Sequence, residues 1–133
     1  MKRSILADTG PLYAAADPDD QYHERAQKEL KRLNRDRRAV VVAYPILLES
    51  YTLVLYRLGK EAAWKWLGET MAGANLVNPA AEDYRAATAK LLSFKDQPVT
   101  LFDATVAILA QRTGFSVWTY DHHFDVMRVP VWR

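Results

Sequence analysis

The sequence predicts an α/β fold: a mainly parallel sheet of four to five strands, covered by helices on both sides. Two observations carry this. Short apolar, often β-branched runs recur near residues 4, 40, 76, 116 and 129. Between them lie longer segments with helical periodicity, the alternation that builds parallel sheets. The 133 residues suit one domain, residues 1–133, with no internal repeat and no linker long enough to separate a second.

Taken in order, Ser4–Ala7 is a short buried strand, and Asp8-Thr9-Gly10-Pro11 turns the chain out of it. Asp8 reads equally as a helix cap and as a site residue at the carboxyl end of a strand, where open parallel sheets collect ligands. Leu12 to Ala16 form a short helix, Asp17–Asp20 a turn, and Asp20 to Asn34 the next helix. His23 reads as a surface histidine on that helix. Ala39–Ala43 is a continuous β-branched run, hence a buried strand.

Pro45 suits the first turn of a helix running to Leu58, with Gly59 just past its end. Apolar residues surround nearly the whole of this helix, which predicts that it is largely buried. Glu49 is its only acid, and burial of an ionised glutamate demands a partner or a metal. Glu61–Ala72 is a helix whose Trp64 and Trp66 fall on different faces, as packing or interface residues rather than a base-stacking platform. Leu76-Val77 is a strand, Ala80–Phe94 a helix, and residues 95–98 a loop.

From Thr100 the chain reads as a helix ending near Gly114. Asp103, Ala107 and Ala110 recur along one line of it, a small-residue face able to lie close to a sheet. Thr100 and Asp103 have the capping-box spacing, and on its own Asp103 fits a cap better than a site. Phe115–Tyr120 is a strand, with Asp121 at its carboxyl end. His122 and His123 are adjacent and are expected to diverge, which makes them a poor pair of ligands for one metal. Val129–Val131 reads as an edge strand that tolerates Pro130.

Composition narrows the chemistry. Cysteine is absent, which excludes disulfides, thiolate chemistry and a cysteine-based zinc site. No apolar run reaches the length of a membrane span, and Asp8 and Pro11 interrupt the segment after Lys2 and Arg3 before a signal-peptide core forms. A cytoplasmic protein is expected. Walker, G-x-G-x-x-G and G-x-S-x-G motifs are all missing. The net charge is only +2. Lys28, Lys31, Arg32 and Arg35 nevertheless share one helix face, which reads first as a solvated face and is compatible with a polyanionic substrate.

Asp8, Glu49, Asp103 and Asp121 all lie at strand ends or helix starts, positions that converge on one edge of a parallel sheet. Crowded carboxylates repel unless a cation joins them. Hard oxygen ligands select Mg²⁺ or Mn²⁺, ions that activate water and stabilise charge on a phosphate. With these four of the 16 acids set aside, 18 basic residues face 12 acidic ones.

The order of these motifs resembles a known family. Asp-Thr after the first strand, Glu in an apolar helix, Leu-Phe-Asp-Ala-Thr opening a helix and Thr-Tyr-Asp-His-His-Phe after a late strand look like the PIN domain. The similarity is greatest to the small VapC-type toxins of bacterial toxin–antitoxin pairs. It implies an α/β/α sandwich and a metal-dependent endoribonuclease. Asp8, Glu49, Asp103 and Asp121 would then hold Mg²⁺ or Mn²⁺, with Thr9 and Thr119 in support. It also implies a homodimer inhibited by a small antitoxin. Many relatives carry a further acid near the third or fourth motif. Here Leu101-Phe102 precede Asp103, His122-His123 follow Asp121, and Asp125 is a turn away. The alternative is a PIN-like module that binds RNA or a protein without cutting. A third reading makes all four acids plain caps.

Overall fold

The computed structural model describes residues 4–133; Lys2 and Arg3 lie outside the described residues. The elements are β1 (Ser4–Ala7), α1 (Thr9–Ala16), α2 (His23–Arg35), β2 (Ala39–Ala43), α3 (Tyr44–Leu58) and α4 (Lys60–Gly73). They continue with β3 (Asn75–Val77), α5 (Ala81–Leu92), α6 (Leu101–Thr113), β4 (Ser116–Trp118) and α7 (His123–Val126). The four strands form one sheet in the order β3-β2-β1-β4, and every pairing is parallel. Leu6 stands opposite Val41 on one side and Val117 on the other.

This order matters for function. The chain leaves β1 to build β2 and β3 on one side, then returns to place β4 on the other. The carboxyl ends of β1 and β4 therefore lie side by side where the winding reverses, the position at which open α/β sheets form ligand crevices. The Asp8 N–H donates to the Trp118 carbonyl at 2.9 Å, which extends the pairing one step beyond the strands.

The sheet buries Ile5, Leu6, Val42, Val117 and Trp118 completely or nearly so. Each such side chain contributes about 1.5–3 kcal/mol through removal from water. Helix α6 packs on β4 with Ala104, Ala107 and Ala110 all buried, the close approach that its small-residue face predicts. Gly114 ends α6 in the left-handed conformation, at φ 79°, that glycine adopts without steric cost.

Several boundaries differ from expectation. Helix α1 starts at Thr9 rather than Leu12, because Pro11 falls in the first turn, where a missing N–H costs nothing. Helix α2 starts at His23 rather than Asp20. The residues before it form side-chain-stabilised turns, with Asp19 N–H donating to Asp17 and Tyr22 N–H to Asp20. His23 is tied down as well, its Nδ1 lying 2.8 Å from the Ala14 carbonyl. Helix α3 is not largely buried: Leu48 is 64% exposed and Tyr56 82%. It packs on α1, α4 and β2, burying Ile46, Leu47, Ser50 and Val54 while its other flank faces outward. Val129–Val131 is not a strand. Only Val131 pairs, in an isolated parallel bridge to Val117; Pro130 lacks the N–H for a ladder, and Arg128 turns the chain at φ 59°.

Candidate active site

The structure brings Asp8, Glu49, Asp103 and Asp121 to the walls of one cleft of about 520 Å³. Asp8 occupies the N-cap position of α1, yet its side chain makes no capping hydrogen bond. Its Oδ2 instead accepts from Thr119 Oγ1 at 2.8 Å. That same Thr119 oxygen accepts from the Asp121 backbone N–H at 3.0 Å. One hydroxyl thus couples the acid leaving β1 to the acid that follows β4. Burial, with the charges of Asp103 and Glu49 adding to it, pushes the Asp8 carboxyl up to about 7.

Thr9 works in the same way on the next element. Its hydroxyl donates to Glu49 Oε1 and receives a long hydrogen bond from Ser50 Oγ at 3.4 Å. Glu49 projects from the second turn of α3, half-buried, and burial followed by the Asp103 charge raises its pKa. Asp103 is both a cap and a cleft residue. Its backbone N–H donates to Thr100 Oγ1, and its Oδ2 accepts from the Thr100 N–H at 3.0 Å. Burial again raises its pKa, and the charge of Asp121 adds to the effect. Asp121 Oδ1 receives the His123 N–H at 2.9 Å, so it too opens a helix while lining the cleft.

His122 and His123 do not diverge. They sit at the tight start of α7, their ring centroids are 4.2 Å apart, and with Asp121 they bring one ligand atom each within 4.8 Å of one another. His123 Nδ1 lies 2.7 Å from Asp121 Oδ1, but neither buried ring nitrogen is aligned for a hydrogen bond. Asp125 instead turns outward to an ion pair with Arg133 at 2.8 Å and does not line the cleft. The basic face of α2 also lies elsewhere: Lys28, Lys31, Arg32 and Arg35 are absent from the cleft walls, and Arg32 lies over the Trp132 ring.

Asp20, Tyr22, Arg57 and Tyr120 are among the cleft residues that the sequence did not single out as site residues. Asp20 stands in an expected turn and Tyr120 within the Thr-Tyr-Asp-His-His-Phe motif; Tyr22 and Arg57 carry no local signal. Among the described residues, Arg57 is the only lysine or arginine on the cleft walls, and no lysine or arginine forms an ion pair with Asp8, Glu49, Asp103 or Asp121. Carboxylates wholly or partly buried, with no lysine or arginine among the described residues to pair them, are a donor set suited to a hard divalent cation.

An acid-lined cleft at the switch point of a four-stranded parallel sheet defines the class, and family comparison gives it a name. The PIN domain model matches residues 5–130, and the chain belongs to the PIN domain family. Among solved structures it is similar to Mycobacterium tuberculosis VapC20, a sarcin–ricin loop cleaving toxin. The TM-score is 0.84 at 22% identity, over 97% of this chain and 98% of that one. It is also similar to VapBC2 from Rickettsia felis, bound to a fragment of promoter DNA, with a TM-score of 0.72 at 13% identity over 98% and 97% of the two chains. FitAcB from Neisseria gonorrhoeae gives 0.67 at 19% identity over 97% and 96%. At these identities the likeness shows the fold. No curated protein matches the sequence significantly. No helix among the described residues is long and apolar enough to cross a membrane.

Proposed function

We propose that this PIN domain, acting as one unit over residues 1–133, is a Mg²⁺- or Mn²⁺-dependent endoribonuclease and the toxin of a toxin–antitoxin pair. The observation that carries this is the meeting of four carboxylates in one cleft, three with raised pKa and none paired with a lysine or arginine among the described residues. Asp8 and Asp103 are the direct ligands; Glu49 and Asp121 complete the shell or orient water. Thr119 and Thr9 fix the orientation of Asp8 and Glu49 through their hydroxyls. A bound divalent cation supplies an activated water and neutralises charge on the scissile phosphate. The likeness to a sarcin–ricin loop cleaving toxin supports RNA as the substrate.

The likeness to VapBC2 and FitAcB supports a small antitoxin partner. Exposed Leu48 and Tyr56 on α3, with Trp64 and Met71 on α4, are apolar surface suited to a second copy of the chain. The cytoplasm is the compartment where such a nuclease meets RNA. Incubation of a mixed RNA panel with Mg²⁺, Mn²⁺ or EDTA tests the reading, with wild type beside Asp8→Ala and Asp103→Ala. Metal-dependent cutting, lost in both variants while each still melts cooperatively, is expected. Equal cutting in EDTA, or cutting retained by both variants, overturns it.

A further inference from the structure

The cleft has a second chemical character beside its acids. Tyr22, in the turn before α2, and Tyr120, between Thr119 and Asp121, both line it. Their rings stand 5.0 Å apart, tilted by 47°. The Tyr120 ring is fixed from behind: its hydroxyl donates to Glu29 Oε1, which also accepts from the Trp118 indole N–H at 3.0 Å. The Arg25 guanidinium lies 4.3 Å from the Tyr120 ring centroid and 6.0 Å from that of Tyr22. Glu29 restrains this cation in turn, at 3.5 Å. Tyr22 remains 39% exposed in front of this backing.

We propose that Tyr22, backed by Tyr120 and Arg25, is a nucleobase-stacking subsite in the wall of this cleft. The inference rests on the nuclease reading for its substrate and extends it. Every base has a π-face, so stacking on a fixed aromatic ring, with an arginine adding cation–π attraction, grips single strands without reading sequence. A paired base is held within its own helix and cannot reach such a platform. The acidic walls add to this need, because only Arg57 among the cleft-lining side chains described offers a phosphate a fixed positive charge. A base grip supplies affinity that charge does not. Glu29 acts as a positioning residue: it holds Tyr120 and Arg25 and does not itself line the cleft.

Binding can be separated from cutting. In the Asp103→Asn background, with Mg²⁺ present, fluorescence anisotropy compares a short single-stranded RNA with an abasic ribose-phosphate oligomer of equal length and charge. Adding Tyr22→Ala is expected to weaken RNA binding roughly ten- to hundredfold, whereas Tyr22→Phe keeps it within about twofold. The abasic oligomer should bind the protein with Tyr22 as weakly as RNA binds the Tyr22→Ala form. A melting temperature unchanged in Tyr22→Ala would show that folding is not the cause, and Tyr22→Phe carries the comparison if it is changed. The proposal is overturned if Tyr22→Ala binds RNA as tightly as its parent, or if the abasic oligomer binds the parent as well as RNA does. Metal-dependent cleavage by the wild type, measured alongside, separates the two claims. Cleavage with Tyr22 indifferent removes the subsite alone; base-dependent binding through Tyr22 without cleavage removes the nuclease and leaves the subsite.

Discussion

Thr119 ties together two parts of the cleft that no short segment of chain connects. Its hydroxyl donates to Asp8 Oδ2 and accepts from the Asp121 N–H. Thr119→Val keeps the shape and deletes both bonds, which leaves a buried carboxylate oxygen and a backbone donor short of partners. We expect a loss of about 1–3 kcal/mol in urea unfolding, restored by Thr119→Ser. The Asp8 pKa should rise further, since that bond lowers it; titration of the Asp8 carboxyl by NMR would show this. An unchanged pKa would mean the hydroxyl is not holding the carboxylate. Asp8, Asp103 and Asp121 were legible in the sequence because each stands at a junction of strand or turn with helix, and Glu49 because it is the lone acid of an apolar helix. Such junctions converge in a parallel sheet. Tyr22, Tyr120 and Arg57 were not, because the wall they form is assembled from the turn before α2, the segment after β4 and the end of α3. Nothing local distinguishes a tyrosine on that wall from one on the surface.

At the scale of elements, Asp103 both caps α6 and lines the cleft. One carboxylate oxygen closes the capping box with the Thr100 N–H, and the other is left to the cleft. Thr100→Ala should cost about 1 kcal/mol of stability and weaken Mn²⁺ binding by a smaller factor than Asp103→Ala. A Thr100→Ala loss of metal binding equal to that of Asp103→Ala would make the cap, rather than the ligand, the role that matters. Helices α5 and α6 are clamped by Arg112, which donates twice to Asp83 at 2.9 Å. Asp83 is buried whereas Arg112 is half exposed, so the pair is screened on one side only. Arg112→Met leaves a buried carboxylate unpaired and should cost about 2 kcal/mol in denaturant unfolding. Arg112 holds the Asp83 pKa below its ordinary value, so this stabilisation is present above the usual carboxylate range and is lost as the pH falls below it. The helix–strand alternation was legible because period and β-branching are local properties. The exposure of α3 and the loss of the last strand were not. The first depends on how many neighbours the fold supplies, and the second on Pro130 and on a positive φ at Arg128.

For the molecule as a whole, the cleft sets folding and function against each other, and pH shows it. The Asp8 pKa rises from 3.8 to about 7 on folding, mainly through burial. Between those values the unfolded chain has released a proton that the folded chain keeps. Stability in EDTA should therefore be fully present below pH 4 as far as Asp8 is concerned, and fall as pH rises toward 7, by an amount on the order of a few kcal/mol. Glu49 and Asp103, raised for the same reason, act in the same direction. A divalent cation reverses the slope, because it binds only the deprotonated carboxylates, and its stabilisation grows until Asp8 has ionised. Melting temperatures measured from acid to mildly alkaline pH should fall in EDTA and hold or rise with Mn²⁺, so that the two curves separate most above pH 7. Asp8→Asn should flatten the first curve and remove most of the gap. If the EDTA curve falls as steeply in Asp8→Asn as in wild type, the burden lies on another group. If Mn²⁺ still opens the full gap in that variant, Asp8 is not the ligand on which the site depends.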